Sequence, residues 1–340
     1  MIESSKKKAS KKNKKSRVVV NDKEFKDAEQ KIRPSRIEEM IGRKREKKAI
    51  KMMIDSAKKR KEVMDHILFY GPPGLGKTTF ALAIANEIGS SIRVTSGPAI
   101  ERQGDLAAIL TNLKKNDVLF IDEIHRLSRV VEEILYPAME DRALDIVMGR
   151  GPSAKTIRLS LEPFTLIGAT TQIGKISSPM RDRFGLIQRL DFFEDDDMIE
   201  ILRRACKLWS IEIEEEALEM ISTGSRGTAR VGLRLLRRVR DYSQSKNIDV
   251  VNPGTVSKTL KILGIDDMGL ESIDREILTI IYKNFSGGPV GVSTLAASLS
   301  EDVSTLLDVY EPYLMKCGFL KRTSRGRVLT PKGIKYAEEV

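Results

Sequence analysis

Residues 71–78 combine glycines, a lysine and a hydroxyl at the spacing used to bind the phosphates of a nucleotide. They read Gly-Pro-Pro-Gly-Leu-Gly-Lys-Thr and match the pattern G-x-x-x-x-G-K-[ST]. Glycines such as Gly74 and Gly76 let backbone N–H groups approach phosphate oxygens, and the helix predicted to follow favours negative charge at its start. We expect Lys77 to reach the β- and γ-phosphates and Thr78 to offer its hydroxyl to Mg²⁺. The chain is therefore predicted to bind a nucleoside triphosphate.

Two carboxylates follow a second apolar run and complete the pattern of an ATP-hydrolysing site. The run 117–121 leads directly into Asp122 and Glu123. In parallel α/β sheets, ligands bind at the carboxyl ends of the strands. We predict that Asp122 holds Mg²⁺, directly or through water, and that Glu123 polarises the attacking water. A third apolar run, 164–171, ends near Thr170, which could orient that water or sense the γ-phosphate.

Two later segments carry arginines. Residues 178–185 place Arg181 and Arg183 on a short helical turn, and by spacing alone they are either ordinary surface arginines or an arginine finger. A helix predicted to begin near Arg230 carries four further arginines, which we interpret as a solvated basic face. Arg230 itself is set apart from them as a functional candidate.

Composition narrows the class of protein. The chain has 340 residues, enough for two or three domains, and 41% of them are hydrophobic. No apolar run approaches the roughly 18–20 residues of a membrane span, and the N-terminus lacks the apolar stretch of a secretory signal. Cys206 and Cys317 have no paired spacing, so a zinc site is not expected. These features predict a soluble, reduced, cytoplasmic protein.

The positive charge is concentrated at the N-terminus. The net charge of the chain is +11, and the first 18 residues hold seven lysines and Arg17 against Glu3. A segment with so few apolar residues is predicted to be disordered. It either adds affinity for a phosphate backbone or simply solubilises the protein.

The alternation of patterns predicts a tail and three domains. Residues 1–25 are the basic tail, and strands and helices alternate across 26–193, which indicates a parallel sheet covered on both faces. Helical periodicity runs through 194–264. Short helices followed by two short strands occupy 265–340, which suggests a winged helix. The predicted fold class is an α/β P-loop domain followed by a small all-α domain and a C-terminal winged-helix domain.

Two smaller features point to binding partners. Alternating apolar residues across 144–161 bracket a Gly-Arg-Gly-Pro turn and predict a β-hairpin with an apolar face. That face either contacts another protein or packs within its own domain. The turn between the last two strands, 321–327, is rich in arginine and suits the DNA backbone or minor groove, although a winged helix that binds protein is the alternative.

The order of these motifs resembles the RuvB family, the hexameric ATPase motors of Holliday-junction branch migration within the AAA+ class. The resemblance runs from about residue 32 to 330, and its most specific parts are 121–128 and 135–141. The other matching stretches are 71–79, 95–98, 104–108, 164–171, 178–185, 235–241, 287–291 and 318–327.

The resemblance implies roles for residues that spacing alone does not assign. It identifies the all-α domain as a lid over the nucleotide, and the cofactors as ATP and Mg²⁺. The implied nucleotide-binding residues are Ile32 and Arg33 at adenine, Gly74, Gly76, Lys77, Thr78 and Thr79 at the phosphates and metal, and Glu140, Asp141, Arg142 and Phe193 nearby. The implied catalytic residues are Lys77, Asp122, Glu123, Thr170, Arg183 and Arg230. Thr170 matches the family's first sensor of the nucleotide state and Arg230 the second sensor, on the lid. Arg183 matches the arginine finger that reaches the nucleotide of the neighbouring subunit.

The resemblance also implies partners. Arg322 and Arg327 match DNA contacts of the winged-helix domain at 265–340, which is called the head. The hairpin 144–161 corresponds to the docking element for the junction-binding protein RuvA. The nuclease RuvC would be a third component, and the process would be recombination and repair, including the SOS response. Two other functions stay open, a clamp-loader-like or replication-initiation ATPase, and a nucleotide-switched DNA-binding regulator.

Some positions depart from the family pattern. Ala229 stands where relatives usually have proline, which loosens the turn before Arg230 but keeps the guanidinium. Phe193 stands where relatives often have tyrosine, which removes a hydroxyl and leaves the packing of the ring. Neither change removes a catalytic group.

Overall fold

The computed structural model describes residues 32–148 and 155–339. The basic tail predicted at 1–25 and the turn predicted at 149–152 lie outside these ranges. The strands are β1 (Ile67–Tyr70), β2 (Ile92–Ser96), β3 (Val118–Asp122), β4 (Ala143–Met148), β5 (Lys155–Ser160), β6 (Thr165–Thr170), β7 (Leu186–Arg189), β8 (Glu212–Ile213), β9 (Val250–Val251), β10 (Leu320–Thr323) and β11 (Gly326–Leu329).

The helices follow the same chain order, and a π-helical turn, Leu306–Tyr310, joins the twelfth to the thirteenth. They are α1 (Lys44–Arg60), α2 (Lys77–Ile88), α3 (Gln103–Thr111), α4 (Arg129–Glu140), α5 (Ser178–Asp182), α6 (Asp195–Trp209), α7 (Glu215–Gly224), α8 (Ala229–Lys246), α9 (Pro253–Ile262), α10 (Ser272–Phe285), α11 (Val292–Leu299), α12 (Val303–Thr305), α13 (Glu311–Lys316) and α14 (Pro331–Glu339). None of these helices is both long and apolar enough to span a bilayer.

A parallel five-stranded sheet organises the first domain, with strand order β2-β3-β6-β1-β7. Its central strands are apolar runs because helices cover both faces of the sheet. Neighbouring residues of β1 show this directly, since Leu68 belongs to one hydrophobic core and Phe69 to the other. Phe69 stacks on Phe80 of α2 with ring centroids 5.2 Å apart. The parallel sheet predicted for this region is confirmed, and it brings the carboxyl ends of all five strands to one edge.

The hairpin β4–β5 is a separate two-stranded antiparallel sheet beside this domain. Leu144 and Leu161, at its base, are buried in the core of the domain. Ile157, farther along β5, is exposed. The apolar face of the hairpin is therefore divided, packed at the base and open to solvent at Ile157.

The second domain is a bundle of α6 to α9. Apolar residues of its helices join the core under α1 and α2, so the bundle is packed against the sheet domain. Polar caps fix the helix starts, with the Asn252 side chain accepting the Thr255 N–H at 2.9 Å at the start of α9. The prediction of purely helical structure here missed one feature, the two-residue parallel pair β8–β9. Such a short pair carries no periodicity that a sequence pattern could reveal.

The third domain is a winged helix. Helices α10, α11 and α14 pack around the antiparallel pair β10–β11, with Phe319 and Leu314 buried at the centre. The predicted fold class is confirmed in all three parts.

Candidate active site

The phosphate loop lies between β1 and α2 and contacts the second domain. Gly74 and Gly76 have φ angles of +80° and +92°, which side chains with a Cβ rarely adopt. A Cβ on Gly74 would also lie 2.9 Å from the Cβ of Arg230. Glycine at position 74 is thus needed twice, for the backbone conformation and for the close approach of α8. Helix α2 begins at Lys77, so its N-terminus faces the cavity behind the loop.

Lys77 is a buried cation. Its Nζ donates to the carbonyl oxygens of Gly71 and Pro72, both at 2.8 Å. Burial lowers the pKa of Lys77 to about 8, against the raising effect of the Asp122 carboxylate and together with the lowering effect of Arg230. An ammonium group with little water around it interacts strongly with a phosphate. Lys77 is therefore positioned to bind an anionic ligand.

Asp122 and Glu123 lie at the end of β3, on the edge of the sheet that carries the phosphate loop. One carboxylate oxygen of Asp122 accepts the Glu123 N–H at 3.0 Å. Glu123 has a φ of +48°, a left-handed conformation that costs energy and is common at active sites. Its carboxylate pairs with Arg126 at 3.2 Å. The turn thus carries two adjacent carboxylates into the same cavity.

The donor set suits Mg²⁺. The Thr78 hydroxyl and the Asp122 carboxylate both line the cavity, and Mg²⁺ is typically held by one or two carboxylates together with substrate phosphates and water. Among the residues the structure describes, no group of three or more His, Cys, Asp or Glu side chains forms an all-protein metal cage. A metal that arrives with a nucleotide fits these residues better than a permanently bound structural ion does.

Thr170 is buried at the end of β6 in a small polar network. Its hydroxyl accepts the Gln172 N–H at 2.9 Å and lies 2.9 Å from Nδ1 of His125. Burial lowers the pKa of His125, which favours the neutral ring. The Thr170 hydroxyl and Nδ1 of His125 therefore share one hydrogen bond between two uncharged groups. Its neighbour Thr171 lines the cavity, so Thr170 lies one residue behind the surface of the site.

The cavity that these elements form has a volume of about 310 Å³. It brings together most of the nucleotide-binding and catalytic residues predicted from the sequence. Those at the cavity are Ile32, Arg33, Gly74, Gly76, Lys77, Thr78, Thr79, Asp122, Glu123 and Arg230. It adds residues that the sequence analysis missed, namely Pro73, Thr171, Trp209, Ala229, Leu233 and Arg237. The signal for two of these was present, because Leu233 and Arg237 follow Arg230 on one face of α8 at helical spacing.

An adjoining apolar cavity of about 100 Å³ lies between the first two domains. Phe193 and Leu75 line it together with Ile32, and it shares Ile32, Arg33 and Thr79 with the larger cavity. An apolar cavity beside a phosphate loop suits a nucleotide base. The Arg43 guanidinium covers the Phe193 ring at 4.3 Å, which fixes the ring in place.

Arg183 lies elsewhere, on the surface formed by α4 and α5. Its guanidinium donates to the Pro179 carbonyl at 2.7 Å and to the Glu140 carboxylate at 3.0 Å, and it stacks over the Tyr136 ring at 4.4 Å. Asp141 and Arg142 follow Glu140, and Asp141 pairs with Arg158 at 2.7 Å. This set of residues, which we call the Arg183 face, is not part of the cavity within one chain.

The wing arginines share one carboxylate. Glu311, only 4% exposed, accepts from Arg322 at 3.0 Å and from two nitrogens of Arg327 at 3.1 and 3.0 Å. The side chain of Arg322 is 52% exposed, whereas that of Arg327 is 12% exposed. Arg322 is therefore the more available of the two predicted DNA contacts.

Comparisons with known proteins agree along the whole described chain. Family models match in three consecutive parts, the Holliday junction DNA helicase RuvB P-loop domain at 32–190, the RuvB AAA lid domain at 193–266 and the RuvB C-terminal winged helix domain at 267–338. The Holliday junction branch migration complex subunit RuvB of Clostridium kluyveri is 54% identical over 310 residues, which cover 91% of this chain and 89% of that protein. That of Dehalococcoides mccartyi is 55% identical over 299 residues, 88% of this chain and 86% of its own length.

Solved structures give the same result. The RuvB Holliday junction branch migration motor of Thermotoga maritima superimposes with a TM-score of 0.82 at 49% identity, covering 90% of this chain and 98% of that one. A single-residue variant of the same protein gives a TM-score of 0.84 at 49% identity with the same coverage.

Proposed function

The chain belongs to the RuvB family of Holliday junction branch migration ATPases, and on that basis we propose how its own residues perform the work. It is an ATP-hydrolysing motor that moves the branch point of a Holliday junction. The observation that carries the mechanism is the division of its charged groups. A lysine, two carboxylates and a lid arginine share one cavity, while Arg183 lies outside it.

Within the cavity, each residue has one task. Lys77 and the N-terminus of α2 bind the β- and γ-phosphates, and Arg230 holds the lid closed over them. Thr78 and Asp122 would hold Mg²⁺, which on binding neutralises phosphate charge. Glu123 accepts a proton from the attacking water, and Thr170 keeps its neighbourhood ordered through His125 and Gln172.

Arg183 completes the site of an adjacent subunit. Charge on the γ-phosphoryl oxygens rises during transfer, and an arginine supplied from outside stabilises it. Because the Arg183 guanidinium is supported on Tyr136 and Glu140, it is ordered at the surface before a neighbour arrives. Such head-to-tail contacts between identical chains form a ring when the rotation closes, and we propose that the ring is a hexamer.

The winged-helix head grips DNA without reading its sequence, since branch migration proceeds through any sequence. Arg322 contacts the phosphate backbone, and Arg327 shapes the wing through Glu311. The hairpin β4–β5 docks a RuvA-like junction-binding protein through exposed apolar residues such as Ile157, and a RuvC-like nuclease acts on the same junction. We propose that the protein works in the cytoplasm.

The test combines ATP hydrolysis with strand products from a synthetic four-way junction, with and without the junction-binding partner. The expected result is ATP-dependent dissociation of the junction, lost in Glu123→Gln. A junction that stays intact during vigorous hydrolysis, even with the partner, would instead support a loader or initiator.

A further inference from the structure

The lid and the head are joined by a buried ion pair. Arg226, in the loop before α8, donates a hydrogen bond to one carboxylate oxygen of Asp274 of α10 at 3.0 Å, and its other terminal nitrogen lies 3.0 Å from the second oxygen. The guanidinium also lies over the ring of Tyr313 at 4.4 Å. The Asp274 side chain is completely buried. Removing one partner of such a pair leaves an uncompensated buried charge, so the pair resists separation. The head therefore moves together with the lid.

This contact between the lid and the head lies close to the nucleotide site. Arg226 precedes Arg230 by a single turn of chain, and Gly227 accepts the Phe193 N–H at 2.9 Å beside the apolar cavity. Lys316 of the head donates to the Phe193 carbonyl at 3.3 Å. A shift of Arg230 toward or away from a phosphate thus reaches the head through a short and rigid path.

A second contact joins the head to the first domain, next to the first sensor. The Gln172 side chain donates to the Asp308 carboxylate, while the Gln172 N–H is bonded to the Thr170 hydroxyl. Asp308 also lies near His125, whose pKa it raises slightly against the larger lowering effect of burial. Asp308 is in the π-helical turn Leu306–Tyr310, an irregular geometry often found at functional sites.

The two contacts differ in character. The Arg226–Asp274 pair is buried and bidentate, whereas Gln172 and Asp308 are partly exposed and share one hydrogen bond. When the lid rotates, the weaker contact is the one that separates. This weaker contact lies at the end of β6, because Gln172 is also bonded to Thr170, the residue matched to the first sensor.

We propose that Asp308 is a positioning residue, and that its hydrogen bond with Gln172 is a latch that ties the DNA-binding head to the first sensor of the same chain. The lid carries the head through Arg226, and the latch closes or opens with the state of the nucleotide. This inference rests on the proposed function, because it describes how ATP controls the grip on DNA.

A distance measurement tests the latch without requiring motor activity. Spin labels are attached at Lys175→Cys and Val309→Cys, two exposed positions beside the latch, in a Cys317→Ser background. Cys206 is kept, because burial raises the pKa of its thiol to about 12 and makes it unreactive. Labelled chains are diluted with unlabelled chains, and distances are compared with ADP and with a non-hydrolysable ATP analogue.

We expect the distance between the two labels to have a narrow distribution with one nucleotide and a different mean value with the other. Asp308→Ala should give the same broad distribution with both, and Asp308→Asn, which keeps a hydrogen-bond acceptor, should behave as the parent. Asp302→Ala is the matched control, since Asp302 is exposed in the same segment and makes no capping hydrogen bond. A distribution independent of nucleotide in the parent, or a shift that survives Asp308→Ala, would overturn the proposal.

Enzyme kinetics provide the second readout. Stimulation of ATP hydrolysis by junction DNA should fall by about tenfold in Asp308→Ala, the factor expected for one hydrogen bond to a charged group. Hydrolysis without DNA should be unchanged. Gln172→Ala combined with Asp308→Ala should lose no more stimulation than Asp308→Ala alone, whereas additive losses would show that the two residues act independently.

The two proposals fail in different ways. If the parent shows a nucleotide-dependent distance but never moves a junction, the proposed function is wrong and the latch stands. If the parent migrates junctions while the labelled distance stays constant, the latch is wrong and the motor stands.

Discussion

The nucleotide cavity and the Arg183 face use the same kinds of charged side chain in opposite ways. In the cavity, Lys77, Asp122 and Arg230 come from three different elements and line one volume. On the Arg183 face, the guanidinium follows the end of α5, is held by Glu140 and lies over the ring of Tyr136, both of α4. The cavity can bind a ligand within one chain, whereas the Arg183 face only supports an arginine. This difference is what the proposed mechanism uses, in which one subunit binds the nucleotide and a second subunit supplies the arginine for catalysis.

The sharpest test of this division is Arg183→Ala. An arginine finger contributes about 10³–10⁵ in kcat, so hydrolysis should fall by that factor while ATP binding is kept. Mixing Arg183→Ala chains with Glu123→Gln chains should restore part of the activity, because some pockets with an intact carboxylate then receive a neighbour's arginine. Steady-state hydrolysis across mixing ratios measures this. If no mixture recovers activity, Arg183 does not act across a subunit boundary.

Glu123→Gln tests the nucleotide cavity, the other region of the comparison. A general base contributes about 10²–10⁴ in rate, and the amide cannot accept the proton of the attacking water. We expect kcat to fall within that range while the Kd for ATP changes little, since Lys77 and Asp122 remain. Calorimetric titration and single-turnover hydrolysis separate the two quantities. A large loss of ATP affinity would mean that Glu123 serves binding instead.

The buried lysine predicts a pH dependence of binding that belongs to the cavity alone. Burial lowers the pKa of Lys77 to about 8, and phosphates bind the ammonium form. Above pH 8 the free protein has lost this proton and must take it up again on binding. The Kd for ATP should therefore rise with pH, approaching about tenfold per pH unit.

Lys77→Arg serves as the control for this effect. The guanidinium remains charged throughout the range, so the variant should bind more weakly but with a flatter pH profile. Equal slopes for the parent and the variant between pH 8 and pH 9.5 would assign the pH dependence to another group.

The smallest predicted effect concerns the support of Arg183. Tyr136→Leu removes the ring beneath the guanidinium, and a cation–π contact at a partly exposed site contributes about 0.5–1 kcal/mol. We expect kcat to fall about two- to fivefold, with the KM for ATP unchanged. Tyr136→Phe, which keeps the ring and loses only the hydroxyl, should stay close to the parent. A similar loss in both variants would indicate that the hydroxyl bond to Ser177 matters more than the ring.

Local sequence motifs were enough to predict the fold class and the phosphate- and metal-binding residues of the site. The phosphate loop and the acidic pair at Asp122 were predictable because their chemistry depends on neighbours in sequence, and the sheet follows from apolar runs alternating with helical periodicity. Trp209 was missed because the lid brings it to the cavity from far along the chain, whereas Arg237 lies at helical spacing from Arg230 and was wrongly assigned to the solvated basic face. The exposure of Arg322 relative to Arg327 was equally unpredictable, since it depends on where Glu311 is buried.

The amino-acid sequence alone determined that this chain binds and hydrolyses a nucleotide, and that a helical lid and a winged helix follow the ATPase domain. Those properties depend on short segments, in which the distances between the functional residues follow directly from their spacing in the sequence. Only the tertiary structure decided that Arg183 lies outside the cavity of its own chain, that Arg226 clamps the head to the lid, and that Asp308 meets Gln172. Each of these depends on the distance between residues far apart in the chain, which is fixed only when the domains pack.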